Sequence, residues 1–187
     1  MLKILSEVMA NKNTQVKKAD LPPILPKPPS FIEEHDSLYW LEDTQSLQIT
    51  IAYNEDNTQE ENATYMAIFI DRVVEYGPWA AKIDLLIHPR IIRRWESPSI
   101  YAQHVSEMMA LVDEINISFT TLSHINVRLE IDFPSFQQIK LAACFLAFKA
   151  HWSLSYYVED RPVLFGIDAK GYLMRRLRGV YHRDCKV

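Results

Sequence analysis

Two clusters of arginine beside aromatic side chains are the residues whose types and spacing could bind a ligand. The first cluster consists of Arg90, Arg93 and Arg94, and the second of Arg175, Arg176, Arg178 and Arg183. Trp95 adjoins the first cluster, while Tyr172 and Tyr181 flank the second. Guanidinium groups pair with phosphates and stack on aromatic rings. One such cluster is usually an ordinary solvated face, but the two together favour a contact with an anionic membrane or a nucleoprotein.

The N-terminus adds a third basic feature. Residues 1–10 place Leu2, Leu5 and Val8 on one side of a possible helix. The lysines of this region are Lys3, Lys12, Lys17 and Lys18. A basic amphipathic segment can lie on an anionic membrane, so these lysines join the Arg90–Arg94 cluster as candidate membrane contacts. The alternative is a frayed terminus without a binding role.

The sequence offers little catalytic chemistry. Its four glycines form no phosphate-binding loop, and its six histidines show no metal-ligand spacing. Cys144 and His151 could form a nucleophile pair, but the thiol lies in an apolar run and packing explains it better. A carboxylate site of Asp71, Asp84 and Asp132 is conceivable, yet solvated ends of elements explain these residues better. We therefore expect no enzymatic activity, no cofactor and no metal.

Composition and charge point to a single intracellular domain. The net charge of the 187 residues is −4, but residues 30–71 contain no Lys or Arg, and both ends of the chain are basic. Two cysteines are too few for a disulfide framework and fit a reducing compartment. We find no signal peptide and no stretch apolar enough to span a bilayer. The sequence thus predicts a soluble or peripheral protein.

A proline-rich segment separates the N-terminus from the rest of the chain. Half of the ten prolines lie between Pro22 and Pro29, which excludes helix and strand there and favours an extended conformation. We predict an arm over residues 1–35 and a globular domain over 36–187. The arm could be a stiff spacer, a self-association arm or a ligand for WW- or SH3-type domains. Its candidate contact residues are Leu25, Pro26, Pro28, Pro29 and Phe31.

Hydrophobic periodicity predicts the elements of the globular domain. The segment from Val127 to Phe133 alternates apolar and charged residues, and an almost wholly apolar helix follows from Ile139 to Phe148. The other predicted strands are Leu38–Leu41, Leu47–Tyr53, Ile83–Ile87, Ile115–Phe119, Tyr156–Val158, Val163–Ile167 and Tyr172–Leu177, the last two as a hairpin. Two further predicted helices contain Met66–Val74 and Tyr101–Val112. Because strands and helices do not alternate regularly, we expect an α+β domain with a largely antiparallel sheet of five or six strands and three main helices.

In arrangement the chain resembles the matrix proteins of rhabdoviruses, of the smaller kind found in plant-infecting members. The likeness comprises the basic, apolar segment Met1–Lys18, the proline-rich linker ending at Phe31 and a compact domain that opens with the strand Leu47–Tyr53 and the helix Thr64–Tyr76. Near the end, a strand with an acidic residue leads into a helix, then into Leu164-Phe165-Gly166 and a closing hairpin.

The resemblance implies a non-enzymatic structural protein of the virion, the host cytoplasm and the inner membrane face. Such a protein self-associates, binds anionic membrane, condenses the viral nucleoprotein–RNA complex and drives budding. From the residues alone, the candidates for a nucleoprotein or other anion contact are Arg175, Arg176, Arg178 and Arg183. The alternative is an intracellular adaptor that presents its proline-rich arm to a partner.

Overall fold

The computed structural model describes residues 37–52, 58–88, 98–131, 136–158, 161–163 and 171–186. The strands are β1 (Leu38–Leu41), β2 (Ser46–Ile51), β3 (Lys82–Ile87), β4 (His124–Glu130), β5 (His151–Val158) and β6 (Arg161–Val163). The helices are α1 (Gln59–Val74), α2 (Pro98–Ser118), α3 (Phe136–Ile139), which continues as a 3-10 helix (Lys140–Ala147), and α4 (Tyr172–Val180), which continues as a π-helical turn (Tyr181–Cys185). A short 3-10 turn, Glu42–Thr44, joins β1 to β2.

The six strands form one mixed sheet in the order in which they occur in the chain. The expected α+β class with a sheet of five or six strands is therefore confirmed. The largely antiparallel arrangement is wrong, because β2, β3, β4 and β5 pair in parallel and only the edge strands β1 and β6 are antiparallel to their neighbours. Alternation within a strand reports which face is buried and says nothing about the direction of the neighbouring strand.

The helices that connect the parallel strands cover one face of the sheet. Crossovers between parallel neighbours are right-handed in nearly all proteins, so strands in sequential order are expected to send every connecting helix to the same side. Accordingly, α2 packs against both α1 and the 3-10 helix, and α4 packs against the 3-10 helix. The fully buried strand side chains that face these helices include Leu47, Ile49, Ile51, Ile83, Leu85, Ile87, Ile125, Val127, Leu129 and Tyr156.

Two segments predicted as strands are helical. The alternation of Ile115, Ile117 and Phe119 suggested a strand, yet α2 extends to Ser118. Ile115 is buried while Ile117 is 68% exposed, because Ile115 continues the stripe of Met108, Leu111 and Val112 at helical spacing. The Asn116 side chain secures this end of the helix by donating to the carbonyl of Ala147 and accepting from the Lys149 amide.

The second wrong strand is Tyr172–Leu177, predicted as half of a closing hairpin. This segment is helix α4, which buries Leu177 and Val180 against the core. Of the predicted partner strand, only Val163 lies in β6, and residues 164–170 are outside the described ranges. The apolar helix after β4 is confirmed as buried from Leu141 to Phe145, although it has 3-10 geometry.

Gly77 closes the turn after α1 for a steric reason. Its φ is not positive, so the left-handed conformation of a C-cap glycine is not required here. A Cβ at this position would lie 2.5 Å from the carbonyl oxygen of Ser118 and 2.8 Å from its carbonyl carbon. The missing side chain therefore lets the end of α1 lie directly against the end of α2.

We predict opposite effects of one substitution at two glycines. Gly77→Ala should lower the free energy of unfolding by about 1–3 kcal/mol, since backbone must move to admit the methyl group. Gly179→Ala should raise it by about 0.5–1 kcal/mol, because this helical position has no atom within 4 Å of a new Cβ. Urea denaturation of both variants measures the difference. Equal effects at the two sites would show that Gly77 is not in steric contact with α2.

Candidate functional site

Most of the sequence-predicted binding residues lie outside the described ranges. These residues are Lys3, Lys12, Lys17, Lys18, Leu25, Pro26, Pro28, Pro29, Phe31, Arg90, Arg93 and Arg94. Their roles as membrane contacts and as an arm remain predictions. The second arginine cluster is described in full, and the structure places its four members on α4 and the turn that follows.

Helix α4 carries three arginines, of which Arg176 lies beside the apolar anchor and the other two lie farther round the helix. It begins after Gly171, and Leu177 and Val180 seat it on the core beside the 3-10 helix. Arg175, Arg176 and Arg178 are exposed on the remaining surface. We call these three residues the arginine face.

The members of the predicted cluster differ in what they contact. The guanidinium of Arg176 lies over the Phe136 ring, 3.7 Å from the ring centre, in a cation–π contact. Arg175 and Arg178 have no carboxylate partner within the described ranges. Arg183 departs from the other three, because its Nε and a terminal nitrogen donate to the two carboxylate oxygens of Asp184 at 2.7 and 3.2 Å. This pairing raises the pKa of Arg183 and satisfies much of its charge.

The segment that contains α4 and the turn after it is strongly basic. Residues 171–186 carry five basic side chains and one acidic side chain, Asp184. Since the arginine face is solvated and has no internal counter-charge in the described residues, an external anion can pair with it without breaking a bond in the fold. Each exposed guanidinium can pair with a phosphate or a head group.

The second polar surface is the side of the sheet that faces away from the helices. Strand register aligns Gln48, Asp84, Asn126 and Ser153 in one row across β2, β3, β4 and β5. Within that row, the amide nitrogen of Asn126 donates to Asp84 at 2.7 Å, and the Ser153 hydroxyl donates to the amide oxygen of Asn126 at 2.9 Å. We call this surface the polar sheet face.

A second group on the polar sheet face lies nearer the carboxyl ends of the strands. The Arg128 guanidinium lies over the Tyr157 ring at 3.9 Å and donates to Glu130 at 3.1 Å. Glu130 also pairs with His88 at 3.1 Å. Together with the Asn126 row, Arg128 and Tyr157 line a groove of about 510 Å³. Most polar groups of this groove hydrogen-bond or pair with one another. The groove therefore indicates a ligand site less strongly than the arginine face does.

The conceivable catalytic groupings are not assembled. Asp71 is exposed on α1, in the helical layer, whereas Asp84 lies on the polar sheet face, and Asp132 is outside the described residues. Cys144 is buried, and His151 is exposed and stacks on His124 with the ring centres 5.2 Å apart. Within the described ranges, no three His, Cys, Asp or Glu side chains could share a metal ion.

Sequence reasoning missed the Asp84–Asn126–Ser153 row. Its members come from three strands far apart in the chain, so only the pairing register brings them together. The signal available was a polar residue at a matching outward position of each strand. Among the described helices, none combines the length and the apolar character needed to cross a bilayer.

Comparisons with protein-family models, curated proteins and solved structures give no match for this chain. The likeness to rhabdovirus matrix proteins stays a resemblance of arrangement. The arginine face and the polar sheet face are therefore the two surfaces that bear on function.

We predict that a second carboxylate in the polar row destabilises the sheet. Asn126→Asp places two negative charges at directly opposed positions, which should lower the free energy of unfolding by up to about 1 kcal/mol at neutral pH. Repulsion raises the carboxylate pKa values in the folded variant. The loss should therefore shrink as the pH falls and one carboxylate takes up a proton.

The measurement is urea denaturation between neutral and acidic pH. Asn126→Ser is the matched control, because it removes the same amide without adding charge. If both variants lose the same stability at every pH, charge repulsion between positions 84 and 126 does not affect the stability of the sheet.

Proposed function

We propose that this chain is a non-enzymatic structural protein of the matrix type that associates with itself, binds an anionic membrane surface and contacts a nucleoprotein–RNA complex. Its sites of action would be the virion, the host cytoplasm and the inner face of the membrane. The arginine face carries the proposal: Arg175, Arg176 and Arg178 are exposed on a helix that Leu177 and Val180 anchor in the core.

A fixed helix is well suited to an anionic surface. Leu177 and Val180 hold α4 in place, so binding does not require the helix to fold at the membrane. Each arginine near an anionic bilayer contributes about 1 kcal/mol. Three of them acting together contribute about 3 kcal/mol, which corresponds to a change of roughly 100-fold in the partition coefficient. Exposed charges are screened by salt, so this binding should weaken as ionic strength rises.

The remaining polar surface supports a binding role over a catalytic one. Side chains of the polar sheet face pair with one another, as in the row from Asp84 to Ser153 and in the Arg128–Glu130 pair. A catalytic site needs a nucleophile or base within reach of a bound substrate and oriented toward it. Self-association and the nucleoprotein contact are proposed on the resemblance to matrix proteins. The membrane contact is proposed on the arginine face and can be tested first.

We predict that neutralising the arginine face abolishes most binding to anionic vesicles. The test is co-sedimentation of the full chain with vesicles of phosphatidylserine and phosphatidylcholine, and with phosphatidylcholine alone, at low and high salt. The wild-type chain should bind only the anionic vesicles and release in high salt. The triple variant Arg175→Gln, Arg176→Gln and Arg178→Gln should bind roughly 100-fold less strongly, following the same estimate of about 1 kcal/mol per arginine.

A matched control removes the same charge elsewhere. Lys82, Lys149 and Arg161 are also exposed, so their triple change to glutamine alters net charge equally. This control should keep most of the binding if the arginine face is the contact. Equal losses of binding in both triple variants would show that the net charge of the protein, and not the position of the arginines, determines vesicle binding. No wild-type binding under any condition would overturn the membrane proposal.

A further inference from the structure

The two cysteines meet in the fold although they are 41 positions apart in the chain. Cys144 lies in the 3-10 helix, and Cys185 ends the π-helical turn after α4. Their sulfur atoms are 3.7 Å apart. At this distance, rotation and a small movement of one side chain are enough for a sulfur–sulfur bond to form. The sequence indicated no such pairing, because spacing alone does not bring the thiols together.

The two thiols differ in their access to a cavity beside α2. Cys185 and Asp184 line a cavity of about 760 Å³ beside α2, and Tyr101, Val105 and Met109 form much of its wall. Cys144 is fully buried behind Cys185 and does not line the cavity. A small oxidant in the cavity therefore reaches Cys185 first.

The local chemistry also distinguishes the two thiols. The pKa of Cys185 is lowered, chiefly because the Cys144 thiol hydrogen-bonds to it, while burial and the Asp184 carboxylate act in the opposite direction. The pKa of Cys144 is raised by that same hydrogen bond and by burial. Cys185 is therefore the thiol that ionises first, and a thiolate is the nucleophilic form of cysteine.

The groups around the pair fix the turn that carries Cys185. The Tyr101 hydroxyl donates to Asp184 at 3.3 Å, and the Lys140 ammonium lies 3.6 Å from the centre of the Tyr101 ring. Burial raises the pKa of Tyr101, and Asp184 raises it further, so Tyr101 stays a neutral donor. The contacts place residue 184 and its neighbour Cys185 against α2.

We propose that Cys185 is a site of reversible oxidation by hydroperoxides, with Cys144 as the resolving thiol. The Cys185 thiolate attacks one oxygen of hydrogen peroxide, the O–O bond breaks, and Cys185 becomes a sulfenic acid while hydroxide leaves. The Cys144 sulfur then attacks the Cys185 sulfur, the S–O bond breaks, and its thiol proton leaves with the oxygen as water. In sum, two thiols and one peroxide give one disulfide and two waters, with the sulfurs losing two electrons to the peroxide.

The disulfide would fasten the C-terminal turn to the 3-10 helix. In a reducing compartment it would form under oxidant and be reversed by a dithiol. It closes a long loop, so the oxidised protein should unfold at a higher temperature than the reduced one. This inference does not depend on the proposed membrane function.

The experiment treats the reduced full-length chain with hydrogen peroxide and measures intact mass and free thiols. We expect both thiols to disappear together, with a mass loss of two hydrogens, in a protein that remains monomeric on a non-reducing gel. Dithiothreitol should restore both thiols. The thermal unfolding midpoint should rise on oxidation and return on reduction.

Two cysteine variants show which thiol reacts in each of the two steps. Cys144→Ser should stop at a sulfenic acid on Cys185 that dimedone traps, and Cys185→Ser should leave the Cys144 thiol intact at peroxide levels that oxidise the wild-type chain. The proposal is overturned if wild-type oxidation gives sulfinic acids, a disulfide between molecules, or independent loss of the two thiols. The wild-type measurements decide the matter even if a variant fails to fold.

Discussion

The sequential order of the parallel strands β2–β5 is the constraint on which the rest of the molecule depends. With the right-handed crossovers that are general for parallel neighbours, strands in this order place α1, α2 and the 3-10 helix on one face. The sheet therefore needs apolar side chains on that face alone. Most parallel sheets are covered on both faces and have nearly continuous apolar strands. Here β4 alternates Val127 and Leu129, which are buried, with Arg128 and Glu130, so the described helices leave the polar sheet face uncovered.

The end of α2 joins three parts of the helical layer. Gly77 brings the turn after α1 against Ser118, and Asn116 binds the backbone of Ala147 and Lys149 at the end of the 3-10 helix. Both contacts act on backbone groups, which lack the freedom of side chains to move aside. The position of α2 therefore sets the positions of α1 and of the 3-10 helix, on which α4 rests. The surface at α4 depends on this chain of contacts.

Sequence patterns predicted those elements whose residue pattern depends only on which side chains are buried. The strands Leu38–Leu41 and Ile83–Ile87, and the helix around Met66, could be predicted because each presents one apolar face. Ile115 and Phe119 fit both a period of two and a helical spacing of four, so the pattern could not decide between strand and helix. Strand direction, the row through Asn126 and the meeting of Cys144 with Cys185 depend on register and packing between distant segments. The arginines near Tyr172 could be recognised in the sequence as a cluster. Their individual exposure could not be predicted, because it depends on how the helix packs on the core.

The arginine face and Cys185 belong to one continuous helical segment, residues 172–185. Leu177 and Val180 anchor its middle, while the Tyr101–Asp184 hydrogen bond and the Cys144–Cys185 contact hold its end. A short amphipathic helix attached only at its middle could still rotate about its axis and tilt. Attachment at a second point, next to α2 and the 3-10 helix, fixes the direction in which the arginines point. The strength with which this end is held therefore limits how far the helix, and the three arginines on it, can turn.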